Sequence, residues 1–200
     1  VEEFVFASSS VVYGADADIP TPEGARLEPI SMYGATKAAC ERMSRLYADR
    51  FGFDATVVRL ANIVGGRAQK GVAYDFVEKL RDSPEELQIL GDGRQKKSYL
   101  RAEDAVVAME AARKAPGSVY NIGSRDSVSV TRIAEIVSDV MDIDPEFNYT
   151  GGRRGWSGDV PEMRLDISRL ENDSDWESST GSEKAIRSTV SEYANGEPNS

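Results

Sequence analysis

Tyr33 and Lys37 stand four residues apart in the segment SMYGATKAACERM, residues 31–43. On a helix, positions i and i+4 share a face, so these side chains would be neighbours near the helix start. An ammonium beside a phenol favours the phenolate, and a tyrosine tuned this way can exchange a proton near neutral pH. With 8 tyrosines in the chain, such a pair also arises by chance. Its meaning depends on what surrounds it. Just upstream, the apolar run FVFAS leads into Ser8, Ser9 and Ser10 and then VVYG. In a parallel sheet ligands bind at the carboxyl ends of strands. A serine hydroxyl there can meet a tyrosine from the following helix.

The elements that must position these groups can be read from periodicity. Residues 4–8 have the pattern of a strand buried on both faces. A loop rich in Asp, Pro and Gly follows from Gly14 to about Pro29. The next helix is expected over Met32–Arg50, with Ala39, Met43, Leu46 and Tyr47 as its core face and Gly52 as its stop. ATVVRLANIVG, residues 55–65, reads as a second buried strand entering a glycine turn. Helices are expected around Val72–Leu80, over 102–115 and around Ile133–Met141. LQILGDG, SVYNIGS and EFNYT supply strands. The last helix spans about Ser182–Ala194, with Thr180 and Glu183 spaced as a capping box, and residues 196–200 form a frayed tail. No internal repeat is evident. The alternation of strands and helices defines an α/β class with a parallel sheet in the first part.

Composition narrows the function. Hydrophobic residues make up 40% of the 200, enough for a packed core. The formal charge of −10 argues against a nucleic-acid partner or an anionic membrane surface. Cys40 is the only cysteine, so no internal disulfide can form, which suits a reducing cytosol. There is no histidine, which excludes histidine triads and histidine-containing metal sites. No apolar run approaches the roughly 20 residues of a membrane span, and the first residues do not read as a signal peptide. The expectation is a cytoplasmic protein without a metal.

Six segments occur together in one order: FVFASSSVVYG, EPISMYGATKAACE, VVRLANIVG, LQILGDGRQKKSYLRAEDAV, VYNIGS and GWSGDVPEMRLDISRL. This series resembles the extended short-chain dehydrogenase/reductase family, in particular the NAD-dependent nucleotide-sugar epimerases such as UDP-glucose 4-epimerases. The resemblance implies a Rossmann-type parallel sheet over residues 1–66 carrying the Ser/Tyr/Lys elements. It also implies a small α/β substrate-binding region over 67–195, with segments returning to the sheet. Carried onto matching positions, it makes Ser9 the catalytic hydroxyl, with Ser8 and Ser10 as fallbacks and Ser8 beside the cofactor. Tyr33 becomes the base, and Lys37 the lysine that holds the nicotinamide ribose of NAD. Asn62 would contact the nucleotide-diphosphate part of the substrate. Lys97 and Arg154, with Arg153 as the alternative to the latter, would meet the diphosphate. The bland reading of both cations is solvated surface charge. The implied reaction is a transient oxidation at the sugar's C4, with Tyr33 taking the hydroxyl proton and the nicotinamide the hydride. The implied partners are a nucleotide-diphosphate sugar and, as in many relatives, a second copy in a homodimer.

The related 4,6-dehydratases carry a carboxylate pair, or at least a glutamate, just after the catalytic hydroxyl. Here Ser10 and Val11 occupy those places, and valine carries no proton. Epimerase is therefore favoured over 4,6-dehydratase and over decarboxylating relatives that keep the glutamate, with a dehydratase or reductase of the family as an alternative. Met163 falls near the position that gates the sugar pocket in the family; its flexible thioether suits plain and N-acetylated sugars alike. A full family member also opens with a strand and a Gly-x-x-Gly-x-x-Gly turn for the NAD pyrophosphate. This sequence does not open with such a strand and turn. The resemblance thus implies that about the first third of such an enzyme is absent. This chain alone is expected to bind NAD weakly or not at all and not to turn over, leaving a non-catalytic nucleotide-sugar binder as the other reading. FVFAS would then be an exposed apolar edge.

Overall fold

The computed structural model describes residues 1–65, 68–156 and 158–196. In chain order the elements are β1 (Glu3–Ser9), a short 3-10 turn (Ser10–Val12), α1 (Met32–Phe51), β2 (Asp54–Leu60), β3 (Asn62–Val64) and α2 (Val72–Asp82). Then follow β4 (Glu86–Ile89), β5 (Lys96–Lys97), β6 (Tyr99–Arg101), α3 (Ala102–Lys114) and β7 (Val119–Ile122). The last are β8 (Val128–Ser129), α4 (Val130–Met141), β9 (Glu146–Tyr149), β10 (Glu162–Met163), α5 (Ser168–Asp173) and α6 (Ser182–Asn195). Of the expected tail, only Gly196 lies among the described residues, and both sides of the expected boundary at 66/67 lie outside them.

The chain is α/β. β1, β2 and β7 form a parallel sheet in the order β1-β2-β7. Smaller pairings, β3 with β6, β4 with β9, and β10-β5-β8, extend over the second part. One apolar core joins β2, β7 and α3 to Leu165, Ile167 and Leu170. The other gathers α2, α4, α6 and β4 around Phe76, Leu80, Ile133 and Ile186. The valine-rich run of β2 is buried from Thr56 to Arg59, as a strand covered on both faces should be. β1 differs. Among the described residues it pairs with β2 alone, and Phe4 is 41% exposed.

One polar row crosses the sheet. Register places Ser8 beside Arg59, and Arg59 beside Asn121, so all three project from the same face. All three are buried. Glu41 of α1 descends onto this row, with its carboxylate 2.7 Å from Arg59 Nη2 and Arg59 Nε donating to both its oxygens. Ser8 donates its hydroxyl to the same carboxylate. Arg59 Nη1 donates to the Tyr13 hydroxyl and the Glu23 carbonyl, and Tyr13 donates to Asn121 Oδ1 at 2.7 Å. Burial raises the Tyr13 phenol above its usual pKa, so it stays a neutral link in the network.

This network sets the rotation of α1. The expected core face of Ala39, Met43, Leu46 and Tyr47 is wrong: all four are exposed, Met43 by 54% and Tyr47 by 55%. Gly34, Glu41 and Ala48, spaced by two helical turns, face inward instead. An ionised carboxylate that must meet a buried guanidinium outweighs an apolar stripe in orienting the helix. The capping box at α6 is also replaced. Gly181 is the N-cap, and Asp126 Oδ1 accepts from the Ser182 amide at 2.7 Å.

Glu41→Ala leaves the Arg59 guanidinium buried without its counter-ion and should cost about 3–5 kcal/mol in urea unfolding. The double variant Glu41→Leu/Arg59→Met should recover most of that loss. A loss under about 1 kcal/mol for the single variant would show that the pair is not the anchor of α1.

Candidate functional site

α1 begins where its first residues demand. Ser31 is extended and accepts the Gly34 amide on its hydroxyl at 3.1 Å, a side-chain N-cap. Gly34 then allows close approach to the 3-10 turn after β1. A Cβ there would stand 2.9 Å from both the Val11 carbonyl oxygen and Pro29 Cβ. This contact seats Tyr33 beside the serine-rich end of β1. Lys37 reaches back one turn, with Nζ 5.7 Å from the centre of the Tyr33 ring and 5.1 Å from that of Phe6. Its ammonium donates to the Ala7 carbonyl at 2.9 Å, which ties the helix to the strand end. Tyr33 itself is 58% exposed.

The three serines have separate environments. Ser8 is committed to Glu41. Its hydroxyl proton serves the buried network, whereas the sequence placed Ser8 beside the cofactor. Ser9 is half-buried in extended backbone at the start of the 3-10 turn. Ser10 is buried and lines a cavity of about 450 Å³ together with Tyr33, Asn62, Lys97 and Met163. Ser9 is not among that cavity's lining residues.

A second cavity of about 530 Å³ adjoins the first. Val11, Asn62, Lys97, Trp156 and Asp159 line both, so the two are lobes of one site with a shared wall. The lobe away from Tyr33 is lined by Phe76, Leu90, Gln95, Tyr99 and Tyr193 among others. Tyr99 is fully sunk, and burial with the nearby Asp159 charge pushes its pKa far up, so it is a neutral phenol and not a base. The Tyr193 hydroxyl lies 2.9 Å from the Gly65 carbonyl and 2.7 Å from that of Ala68, which closes that end.

The wall carries the charge. β5 and β10 run side by side with Lys97 abreast of Met163. Lys97 Nζ is 2.6 Å from Asp159 Oδ1, and Asp159 Oδ2 accepts from the Gly155 amide at 3.1 Å. Lys97 keeps 22% of its side chain exposed while Asp159 keeps 5%. Asn62 is anchored by donating Nδ2 to the Ser98 carbonyl. Arg154 and Arg153 stand apart. Both are exposed and neither lines a lobe, whereas the sequence put Arg154 at the diphosphate. The two glycines before them carry positive φ, and the loop presents Gly155 and Trp156 to the site instead.

Sequence reasoning brought Tyr33, Asn62, Lys97 and Met163 together. It missed Asp159, Gln95 and Trp156. Asp159 sits inside GWSGDVPEM, but no spacing rule links it to Lys97; the pairing of β5 with β10 does. Among the described residues no helix is long and apolar enough to cross a membrane.

The fold thus sets a tyrosine–lysine pair at the carboxyl end of a parallel strand, with Tyr33 lining one lobe of a two-lobed cavity and the Lys97–Asp159 pair in its shared wall. Residues 1–123 match the model of the NAD dependent epimerase/dehydratase family, and the chain belongs to that family, whose cofactor is NAD. The chain superposes on a UDP-galactose 4-epimerase structure with a TM-score of 0.88 and 42% identity, covering 97% of this chain and 63% of that one. A UDP-glucose 4-epimerase from Thermotoga maritima, solved with UDP-glucose, gives a TM-score of 0.85 and 31% identity over 96% of this chain and 63% of that one. Among curated proteins, a putative UDP-glucose 4-epimerase of Methanocaldococcus jannaschii is 28% identical over 86% of this chain and 57% of its own length. A dTDP-D-glucose 4,6-dehydratase of Mus musculus is 27% identical over 96% of this chain and 56% of its own length. The chain thus spans about half the length of these curated relatives.

Gly34→Ala tests the close approach that seats Tyr33. Helix propensity alone would favour alanine by up to about 1 kcal/mol. The contact with the Val11 carbonyl should reverse that sign and cost about 1–3 kcal/mol. A stabilised variant in thermal unfolding would show that the first turn of α1 is free to shift.

Proposed function

We propose that this chain is the substrate-binding and proton-handling part of a nucleotide-sugar epimerase acting on UDP-glucose and UDP-galactose. The observation that carries the reading is the two-lobed cavity, with Tyr33 in one lobe and Lys97 in the wall between them. An elongated ligand fits in one sense. The reacting sugar lies beside Tyr33, the diphosphate meets Lys97 and Asn62, and the nucleoside fills the lobe of Phe76, Leu90 and Tyr193. A diphosphate suits the partly exposed Lys97 ammonium, which can exchange its partner Asp159 for phosphate oxygens.

Tyr33 and the Lys37 ammonium, 5.7 Å from the centre of its ring and bonded to the Ala7 carbonyl near the end of β1, are the residues that would hold the nicotinamide ribose of NAD. When bound, NAD takes up and returns the hydride. Tyr33 exchanges the proton of the sugar hydroxyl, and the serine-rich end of β1, Ser9 with Ser10 as the alternative, hydrogen-bonds that oxygen. Lys37 holds the geometry through the Ala7 carbonyl. Buried Met163 bounds the sugar lobe, where its thioether can adapt to substituents.

One observation favours epimerase over dehydratase. Among the described residues, the only carboxylate lining the Tyr33 lobe is Asp159, which stands in the wall beside Lys97 and not directly after the serines of β1. Val11, which carries no proton, fills the position after Ser10 and faces both lobes. Elimination of water calls for a further proton carrier beside the sugar, and Val11 supplies none at the place where the dehydratases carry one.

Calorimetric titration of the chain with UDP-glucose and UDP-galactose is the test. Both should bind, and Lys97→Met should weaken each at least tenfold while far-UV circular dichroism is unchanged. Any turnover with NAD supplied should interconvert the two sugars and fall by about 10²–10⁴ in Tyr33→Phe. A dehydrated 4-keto product would overturn the epimerase assignment. Failure of either sugar nucleotide to bind would overturn the whole reading.

A further inference from the structure

Gln95 stands immediately before β5, two residues from Lys97. It is 3% exposed and lines the lobe away from Tyr33, but not the lobe that contains it. Its side-chain amide has one fixed end. Nε2 donates to the Leu90 carbonyl at 3.2 Å, and a carbonyl can only accept, so the orientation of the amide is set. Gly91 makes room for it: φ is +82°, and a Cβ there would stand 1.8 Å from Nε2. The other end, Oε1, is buried with no hydrogen-bond partner. A buried acceptor left unpaired costs roughly as much as a lost hydrogen bond, and native interiors rarely retain one. Asp159 across the wall is itself an acceptor, occupied by Lys97 and the Gly155 amide.

We propose that Gln95 Oε1 is a specificity-determining acceptor that receives a hydrogen bond from a donor on the nucleoside end of the substrate. This rests on the nucleotide-sugar reading above. The lobe's place beyond Lys97, on the side away from Tyr33, assigns it to the nucleoside and not to the reacting sugar. Two groups on uridine supply the needed donor: the imide N–H of the base and the ribose hydroxyls. A site that leaves a buried acceptor unpaired discriminates against ligands lacking the donor.

The test titrates the chain and its Gln95→Met variant with UDP, N3-methyluridine diphosphate, 2′-deoxyuridine diphosphate, 3′-deoxyuridine diphosphate and inorganic diphosphate. In the natural chain one of the three analogues should bind about 3- to 10-fold more weakly than UDP, the range of one neutral hydrogen bond. That penalty should vanish in Gln95→Met, while the affinity for inorganic diphosphate stays the same. Loss of the N3-methyl penalty assigns the base N–H; loss of a deoxy penalty assigns that ribose hydroxyl. Equal penalties in both proteins, with UDP bound, would overturn the role of Gln95 and leave the nucleotide-sugar reading standing. No binding of UDP to the natural chain would overturn that reading and this inference with it. Should Gln95→Met fail to fold, the natural chain still decides. The Gln95 side-chain carbonyl carbon should shift in its NMR spectrum with UDP and not with inorganic diphosphate, and an unmoved resonance at UDP saturation would overturn the proposal.

Discussion

The buried pair of Arg59 and Glu41 is the constraint on which the arrangement of this molecule depends. Both side chains are almost wholly removed from water, 4% and 3% exposed. Charges buried at that depth are tolerated only when each remaining lone pair and proton finds a partner. The requirement propagates outward. Arg59 draws in the Tyr13 hydroxyl and the Glu23 carbonyl, Tyr13 draws in Asn121, and Glu41 draws in Ser8. The loop between β1 and α1 and three strands of the sheet are thereby held to one helix. The Tyr33–Lys37 pair lies one and two turns before Glu41 on that helix, so its position at the end of β1 follows from the same clamp.

The site uses charge differently. Lys97 and Asp159 are close, but Lys97 remains in partial contact with solvent and both face the cavity wall. A flexible ammonium in that position is a point charge able to change partners, unlike the guanidinium of Arg59, which is fixed by its five donors. The molecule thus separates a rigid ionic anchor beneath the sheet ends from an exchangeable one at the ligand wall. Under the proposed function, that division would let an anionic ligand enter and leave while Tyr33 and Lys37 stay in register.

Much of the fold was legible from pattern. The valines of β2, the 3.6-residue period of α4 and the glycine after α1 each announce their element, because burial and backbone conformation act locally there. α1 is the instructive failure. Met43, Leu46 and Tyr47 fall at helical spacing and read as a core face, yet they point outward because Glu41, a residue that pattern reasoning assigns to solvent, points inward. The α6 cap fails for a related reason: Asp126, distant in sequence, supplies the acceptor that Thr180 and Glu183 seemed placed to provide.

The sequence by itself determined the α/β alternation, the Tyr33–Lys37 spacing, the serine run at a strand end and the family, because these depend on residue type at short range and on the order of motifs. Tertiary structure alone decided which serine faces which partner, which face of α1 is buried, that Lys97 meets Asp159, and that Gln95 keeps an unpaired oxygen. Each of those outcomes joins residues separated along the chain or turns on atoms left without a partner. Strand register and the satisfaction of buried polar groups fix such relations, and neither is written in the local order of residues.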